Sequence, residues 1–377
     1  MSDQHLHIVS FDVPFPPNYG GVIDVFYKIM ALHNYGIRLH LHIFEYPGRD
    51  RATELEAFCE EVHYYSRKTG IGSAFSPIPY IVKSRRSESL VRNLLKDNYP
   101  VLFEGMHSCY YLDDPRLRNR KLIYRESNIE HEYYINLFSA EHNLAKKAYF
   151  LAESLKLRFF QRKLKHAGLM LVVSECDTDY LKKVFPGKDI RFLPSFHAND
   201  AFNIEAGSGD YALYHGNIEV PENEAAVEFL IRKVFAGSNH RLIIAGMNPQ
   251  KRIFDLAQPY SNISIIANPD DERLFSLIRN AHVNVLVTFQ ATGLKLKLLN
   301  TLYNGRHCLV NPLMLNGTGL EPLCTIAETA EDFRKKLDDL KDVPFSLSAA
   351  EKRHELLNRK FSNSGNAARL AEAVFGS

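Results

Sequence analysis

"YALYHGNIEVPENEAAVEFL", residues 211–230, compresses the architecture of the chain into one segment. A short apolar and aromatic run leaves at His215-Gly216-Asn217, and Pro221 then stands where the first helical turn tolerates a residue without an N–H. The pattern is strand, turn, helix. It recurs through the second half of the chain: "RLIIAG", "NISIIA", "VNVLVTF" and "HCLVN" read as strands, with helices expected to start near Pro221, Pro249, Asp270 and Gly293. The first half carries "LHIVSF", "RLHLHIF", "PVLFEG", "KLIYRES" and "LMLVVS", with helices expected near 22–35, 51–62, 133–166 and 176–185. Short Val-, Ile- and Leu-rich runs that alternate with helical patterns mark parallel sheets wrapped by helices. The class is α/β.

A length of 377 residues accommodates two domains, each large enough to bury a core. The stretch "PSFHANDAFNIEAGSGD", 194–210, is polar and aperiodic, so a linker is expected over 196–210. It separates an N-terminal Rossmann-like domain, 1–195, from a second at 211–355. Residues 329–341 and 348–375 read as helices, and 356–377 is expected to pack back on the N-terminal domain. Two such sheets facing each other leave a cleft lined by the carboxyl ends of their strands, where open α/β sheets bind ligands. Motifs at strand ends therefore carry the most weight.

Composition excludes several classes. Hydrophobic residues make up 45% and charged residues 24%, as in globular proteins. A net charge of +2 selects no polyanion, and no nucleic acid partner is expected. Five cysteines without CxxC spacing argue against a disulfide framework or a zinc knuckle. The start "MSDQHLHIVSF" lacks the features of a signal peptide, and no run of about 18 apolar residues occurs. A cytoplasmic location is expected.

Five strand ends hold candidate chemistry. In "TGLKLKLLNTLYNG", 292–305, Lys295 and Lys297 occupy the start of a helix, where cations oppose the macrodipole. A diphosphate there would reverse the sign, because helix N–H groups and two ammonium groups all favour an anion. The alternative is two solvated lysines flanking core leucines. At 215–217, Gly216 lets backbone approach a ligand while His215 and Asn217 offer polar contacts. Gly20-Gly21, before an apolar helix, could wrap an anion, although a single glycine pair without G-x-G-x-x-G spacing does not mark a dinucleotide site. Gly216 can equally be there for its turn alone. "YRESNIEHEYY", 124–134, gathers Arg125, Asn128 and Glu130 into a polar cluster; the alternative is that Asn128 caps the following helix. His107 in "FEGMHS" ends a neighbouring strand. Asp177 and Asp179 resemble an Asp-x-Asp metal pair, but acidic residues also stabilise a helix start, and no metal site is expected. The basic helix within 146–166 either lies on an anionic membrane or packs Phe150, Leu157 and Leu164 on a sheet; packing is the commoner use.

Together these segments resemble GT-B fold glycosyltransferases of the retaining family-four type, the glycosyl transferases group 1. "PPNYGGVIDVFYKIMALHNYG" is similar to that family's opening glycine loop, and "YRESNIEHEYY" to its R-x-x-N-x-E segment. "HAGLMLVVSECDTDYL" is similar to its last N-domain strand, and "TGLKLKLLNTLYNGRHCLVN" to its donor-site motif. The resemblance implies a sugar transferred from a nucleotide-diphosphate sugar to a saccharide or lipid-linked acceptor, without metal or cofactor, in polysaccharide synthesis. By matching position, Lys297, Lys295 and His107 would act on the reacting groups. Gly20, Gly21, His215, Gly216, Asn217, Thr292, Gly293, Leu294 and Asn300 would bind the donor, and Arg125, Asn128 and Glu130 the acceptor. The glutamates many members carry eight positions apart fall on Thr292 and Asn300 here. A catalytically degenerate saccharide-binding relative and a nucleotide-sugar epimerase share the fold and remain open, as does peripheral membrane contact.

Overall fold

A computed structural model describes residues 4–70, 76–141, 143–290 and 296–376. The chain divides into two compact units, one built from residues up to His197 with 361–376 and the other from Ala198 to Lys360.

In the first unit seven parallel strands form one sheet: β1 His5–Ser10, β2 Arg38–Glu45, β3 Glu61–Ser66, β4 Val101–Glu104, β5 Leu122–Glu126, β6 Leu169–Val172 and β7 Asp189–Phe192. Their order is β3-β2-β1-β4-β5-β6-β7. Successive side chains point to opposite faces, so Val101, Phe103, Tyr124 and Met170 enter one core while Leu102, Ile123 and Leu171 enter the other. Both faces are covered by helices, which is why the strands read as continuous apolar runs. The helix Asn363–Phe375 buries Ala367, Leu370 and Val374 in the second of these cores, and Lys121 Nζ donates to the carbonyls of Ala373 and Val374 at 2.9 and 2.7 Å.

The second unit repeats the plan with six parallel strands: β8 Ala212–Asn217, β9 Leu242–Met247, β10 Ile263–Ala267, β11 Val283–Leu286, β12 His307–Val310 and β13 Thr325–Ile326, ordered β10-β9-β8-β11-β12-β13. Residues 196–210 do not run free. Phe196 is buried in the first unit, and Asn199 exchanges hydrogen bonds with Asn300 and Asn304 in the second at 2.9 and 2.8 Å.

Two helix expectations fail. Residues 51–62 form a short 3-10 turn, Thr53–Ala57, followed by β3, whose "EVHYYS" supplies aromatic and β-branched residues suited to a sheet. The helix expected over 133–166 is two helices, Glu130–Ala140 and Leu144–Phe160. Asn143 starts the second by accepting from the amides of Ala145 and Lys146, which a continuous helix would not leave free.

Five histidines stand on one face at the amino ends of β1, β2 and β3. His5 and His40 share a hydrogen bond of 2.9 Å, and His7 and His42 one of 2.8 Å. His7 also meets Asp97 at 3.0 Å, His42 meets Tyr65 at 2.8 Å, and the rings of His42 and His63 stack at 5.2 Å. Burial pushes His7 down to about 4 and His42 well below its ordinary value, with Asp97 opposing the shift at His7 and Arg120 adding to it at both. These rings are neutral when folded, so below pH about 6.5 the unfolded chain takes up protons that the native sheet refuses. Stability is fully present above that value and falls as the pH drops toward 4. Each such histidine removes up to about 1.4 kcal/mol per pH unit in that window. Urea midpoints should therefore fall steeply between pH 6.5 and 5, and less so in His42→Gln; a flat profile in the parent protein would count against the array.

Candidate donor and acceptor sites

The order of the second sheet places its switch point between β8 and β11, because the chain leaves β8 toward β9 on one side and returns to β11 on the other. Ligands of open α/β sheets bind at the carboxyl ends flanking such a point. The helix Leu296–Asn304 enters there. Lys297 and Thr301, four residues apart, share one face of it and both address β8. Thr301 Oγ1 lies 3.1 Å from His215 Nε2 inside the sheet. Lys297 reaches past the strand: its Nζ donates to Asn223 Oδ1 at 2.9 Å and lies 3.4 Å from the Tyr214 hydroxyl, over the Tyr214 ring at 5.2 Å.

His215 is consequently no surface ligand. Burial, and then the Lys297 ammonium, push it down to about 3, so it is a neutral spacer under the site. Gly216 lies where β8 approaches β9 closely: a Cβ on its neighbour Gly246 would fall 2.0 Å from the Gly216 carbonyl oxygen. Asn217 accepts from the amide of Glu219 and shapes the turn. Asn300 is half-buried and accepts from Asn199, which uses one of the acceptor positions expected to meet a ribose. Thr292, Gly293, Leu294 and Lys295 lie outside the described residues. Beside the site, Thr288 after β11 is clasped by Asn311 and Glu222, fixing the path of the β11 exit. Tyr214 and Asn223, which orient Lys297, were missed in the sequence although both stand in 211–230.

In the first unit the switch point lies between β1 and β4. Gly105 follows β4 with φ of 65°, a left-handed conformation that side chains disfavour, and its turn delivers His107. The His107 ring packs at 5.4 Å from Phe11, and its Nδ1, buried without a hydrogen-bond partner, lies 3.7 Å from Glu130 Oε1. Burial pushes His107 well below its ordinary value, and Arg85 and Arg67 add to the shift. Burial raises the Glu130 carboxyl to about 8 against the pull of Arg85. At neutral pH the pair is a protonated acid beside a neutral imidazole. Arg85, held by the carbonyls of Phe11 and Ile81, is a member of this group that sequence reading overlooked, because "KSRRSES" offers no strand end or periodicity to mark it.

Other first-unit candidates divide. Gly20 and Gly21 open the helix Gly20–Asn34, whose N-terminus has no side-chain cap and no acidic residue, and a Cβ at Gly21 would meet the Phe11 ring at 2.7 Å. Arg125 is fully buried and spends its guanidinium on Asp24 and the carbonyls of Leu193 and Pro194, so it holds the fold and has no face for an acceptor. Asn128 does not cap the next helix; Ile129 occupies that position without a side-chain bond. Asp177 and Asp179, two apart on a helix, point about 200° apart and do not converge on one ion. Among the described residues no group of three potential metal ligands occurs.

No family model matches the chain. A Klebsiella pneumoniae protein described as an uncharacterized 44.6 kDa protein in the cps region is 26% identical over 331 residues, 83% of this chain and 84% of its own length. Sucrose-phosphate synthase from Thermosynechococcus elongatus superimposes with a TM-score of 0.70 at 15% identity over 98% of both chains. WaaG, a glycosyltransferase involved in lipopolysaccharide biosynthesis, gives 0.67 at 13% identity over 99% and 100%. The chain has the GT-B fold. Anabaena HepE, solved in complex with UDP and glucose, belongs to the same structural set, at 0.65 and 9% identity over 98% and 99% of the two chains. These neighbours, each 15% identical to this chain or less, share its two-sheet plan, which the chain keeps through 13 strands among the described residues.

Proposed function

We propose that the protein is a glycosyltransferase that takes a sugar from a nucleotide-diphosphate sugar, with Lys297 as the principal group acting on the diphosphate. The observation that carries this reading is the seating of the Lys297 ammonium at the start of a helix, aimed by Asn223 and Tyr214 at the carboxyl end of β8. An anion at a helix N-terminus is favoured by backbone N–H groups and the dipole, and a positioned ammonium adds a charge-assisted hydrogen bond. As the glycosidic bond breaks, negative charge grows on the leaving diphosphate. A cation fixed beforehand stabilises that charge without reorganisation. Lys295 and Gly293 are assigned to the same diphosphate by their place in the motif.

The first unit is read as the acceptor domain. Its protonated Glu130 and neutral His107 offer one donor and one acceptor to a saccharide hydroxyl. Retention of configuration and independence of metal are part of the proposal. The cps-region relative and the lipopolysaccharide enzyme among the neighbours favour a saccharide or lipid-linked acceptor in surface-polysaccharide synthesis.

The donor is testable without knowing the acceptor. A thermal-shift panel of UDP, GDP, dTDP and ADP sugars should raise the melting temperature with one nucleotide class, since a ligand of the native state alone stabilises it. No shift with any of the four would remove the donor site as drawn.

A lipid-linked acceptor also requires the membrane. On the helix Leu144–Phe160, Leu157 is buried, but Leu144, Leu155 and Phe159 are 83%, 51% and 65% exposed, and Lys146, Arg158, Arg162 and Lys165 lie open around them. An apolar stripe with basic flanks suits an anionic bilayer surface. The protein is expected to co-sediment with phosphatidylglycerol vesicles at low salt, and Phe159→Glu to lose most of that binding. Equal binding of parent and variant would exclude this face.

A further inference from the structure

The second unit contains a polar cavity unrelated to the donor site. About 240 Å³ in volume, it is lined by Cys308, Cys324, His307, Phe345, Lys352 and Arg353 among others. Cys308 lies in β12, and Cys324 immediately precedes β13. Leu309 pairs with Thr325 and Val310 with Ile326, so the two cysteines stand abreast on neighbouring parallel strands. Such neighbours are about 4.8 Å apart, inside the range of about 4.4–6.8 Å between the Cα atoms of a disulfide. Cys324 is extended backbone at the start of a two-residue edge strand, so the small approach a sulfur bridge requires disturbs little.

The neighbouring Cys308 sulfur, and then burial, hold the Cys324 thiol well above its ordinary value, so Cys324 stays protonated. Arg353, 3% exposed, interacts electrostatically with both sulfurs while its guanidinium is anchored by the carbonyls of Gly305 and Arg306 at 2.7 and 2.9 Å and stacked on Phe345 at 4.6 Å. Arg353 and both cysteines line the same cavity, so a fixed cation stands beside the pair where a peroxide would enter. The other cysteines have no such arrangement. Burial raises the thiols of Cys59 and Cys109, and Cys176 is exposed on a helix beside acidic residues.

We propose that Cys308 and Cys324 are a reversible redox pair, with Cys308 the attacking thiol, Cys324 the resolving thiol, and the adjoining cavity the entry for a peroxide. The Cys308 thiolate attacks one oxygen of hydrogen peroxide, the O–O bond breaks, and the departing hydroxide takes up the proton that Cys308 released, leaving water and a sulfenic acid. Cys324 then attacks the sulfenic sulfur, the S–S bond forms, and the hydroxyl leaves with the Cys324 proton as a second water. Two thiols and one peroxide become one disulfide and two waters.

The full-length protein is treated with hydrogen peroxide, alkylated under denaturing conditions, digested and analysed by mass spectrometry. Expected is a linked peptide pair joining residues 308 and 324, lighter by two hydrogens and separated by dithiothreitol. Cys176→Ser retains it, whereas Cys308→Ser and Cys324→Ser abolish it. The idea is overturned if Cys176 is oxidised while both 308 and 324 are alkylated as free thiols. It is equally overturned if Cys308 advances to sulfinic acid unpaired, or if the link appears only after unfolding in urea. The parent protein alone decides between these outcomes, so the result does not depend on either serine variant folding, or on the donor.

Discussion

Lys297→Ala lowers turnover of the nucleotide-sugar donor by about 10²–10³-fold, the loss typical when one preorganised donor to a developing oxyanion is removed. The fold should survive. Asn223 Oδ1, which accepts from Lys297, also accepts from the Tyr214 hydroxyl at 3.2 Å, so the substitution orphans no buried group there. A melting temperature close to that of the parent, with donor hydrolysis and transfer nearly lost, is the expected pair of observations. Unchanged kcat would mean that the leaving diphosphate is stabilised elsewhere.

The largest stability effect is expected at Asp24→Ala. Asp24 and Lys28, one turn apart on the helix Gly20–Asn34, meet Glu104 from β4 and Arg125 from β5 in a dry interior. Two acids face two bases, and the Phe196 amide adds a bond of 2.7 Å to Asp24. Burial pushes the Asp24 carboxyl up, but Arg125 and Lys28 outweigh it and hold the group down at about 2. Removing one member of a buried ion network strands its partners, which costs about 3–5 kcal/mol. Chemical denaturation of the variant at pH 7 should register a loss of that size. Because the native carboxyl titrates below the unfolded one, its contribution is present above pH about 4 and disappears as the pH falls through 2. The gap between parent and variant should thus narrow in acid, and a gap independent of pH would contradict the ionised network.

The same network explains where sequence reading stopped. Arg125 was drawn toward function by its place in a dense polar segment after a strand, a rule that works only when the segment faces solvent. Strand alternation puts Arg125 on the face shared with Ile123, and there its charge is matched by Asp24, about a hundred positions earlier. Nothing local announces such a pairing. The strands themselves were legible because both faces of a parallel sheet are buried, so apolar runs such as "RLIIAG" and "LMLVVS" mark them directly. β3, β7 and β13 escaped because they lie at or beside sheet edges, where polar residues dilute the signal. Of the second unit's site, Lys297 was visible as a cation misplaced against a helix dipole. Its orientation was not, since that depends on Asn223, which reads in sequence as an ordinary residue of a helix start. His215 illustrates the converse: a histidine at a strand end looked like a ligand, and its register on β8 turned it inward to Thr301.

Calorimetric titration of UDP into the parent protein and into Lys297→Ala, at matched pH and salt, bears most directly on the diphosphate receptor at β8, with GDP, dTDP and ADP run alongside. The predicted result is saturable binding of one nucleotide diphosphate by the parent and an affinity at least about 10-fold weaker in the variant, the worth of one charged hydrogen bond. Equal affinity in the two proteins would contradict it.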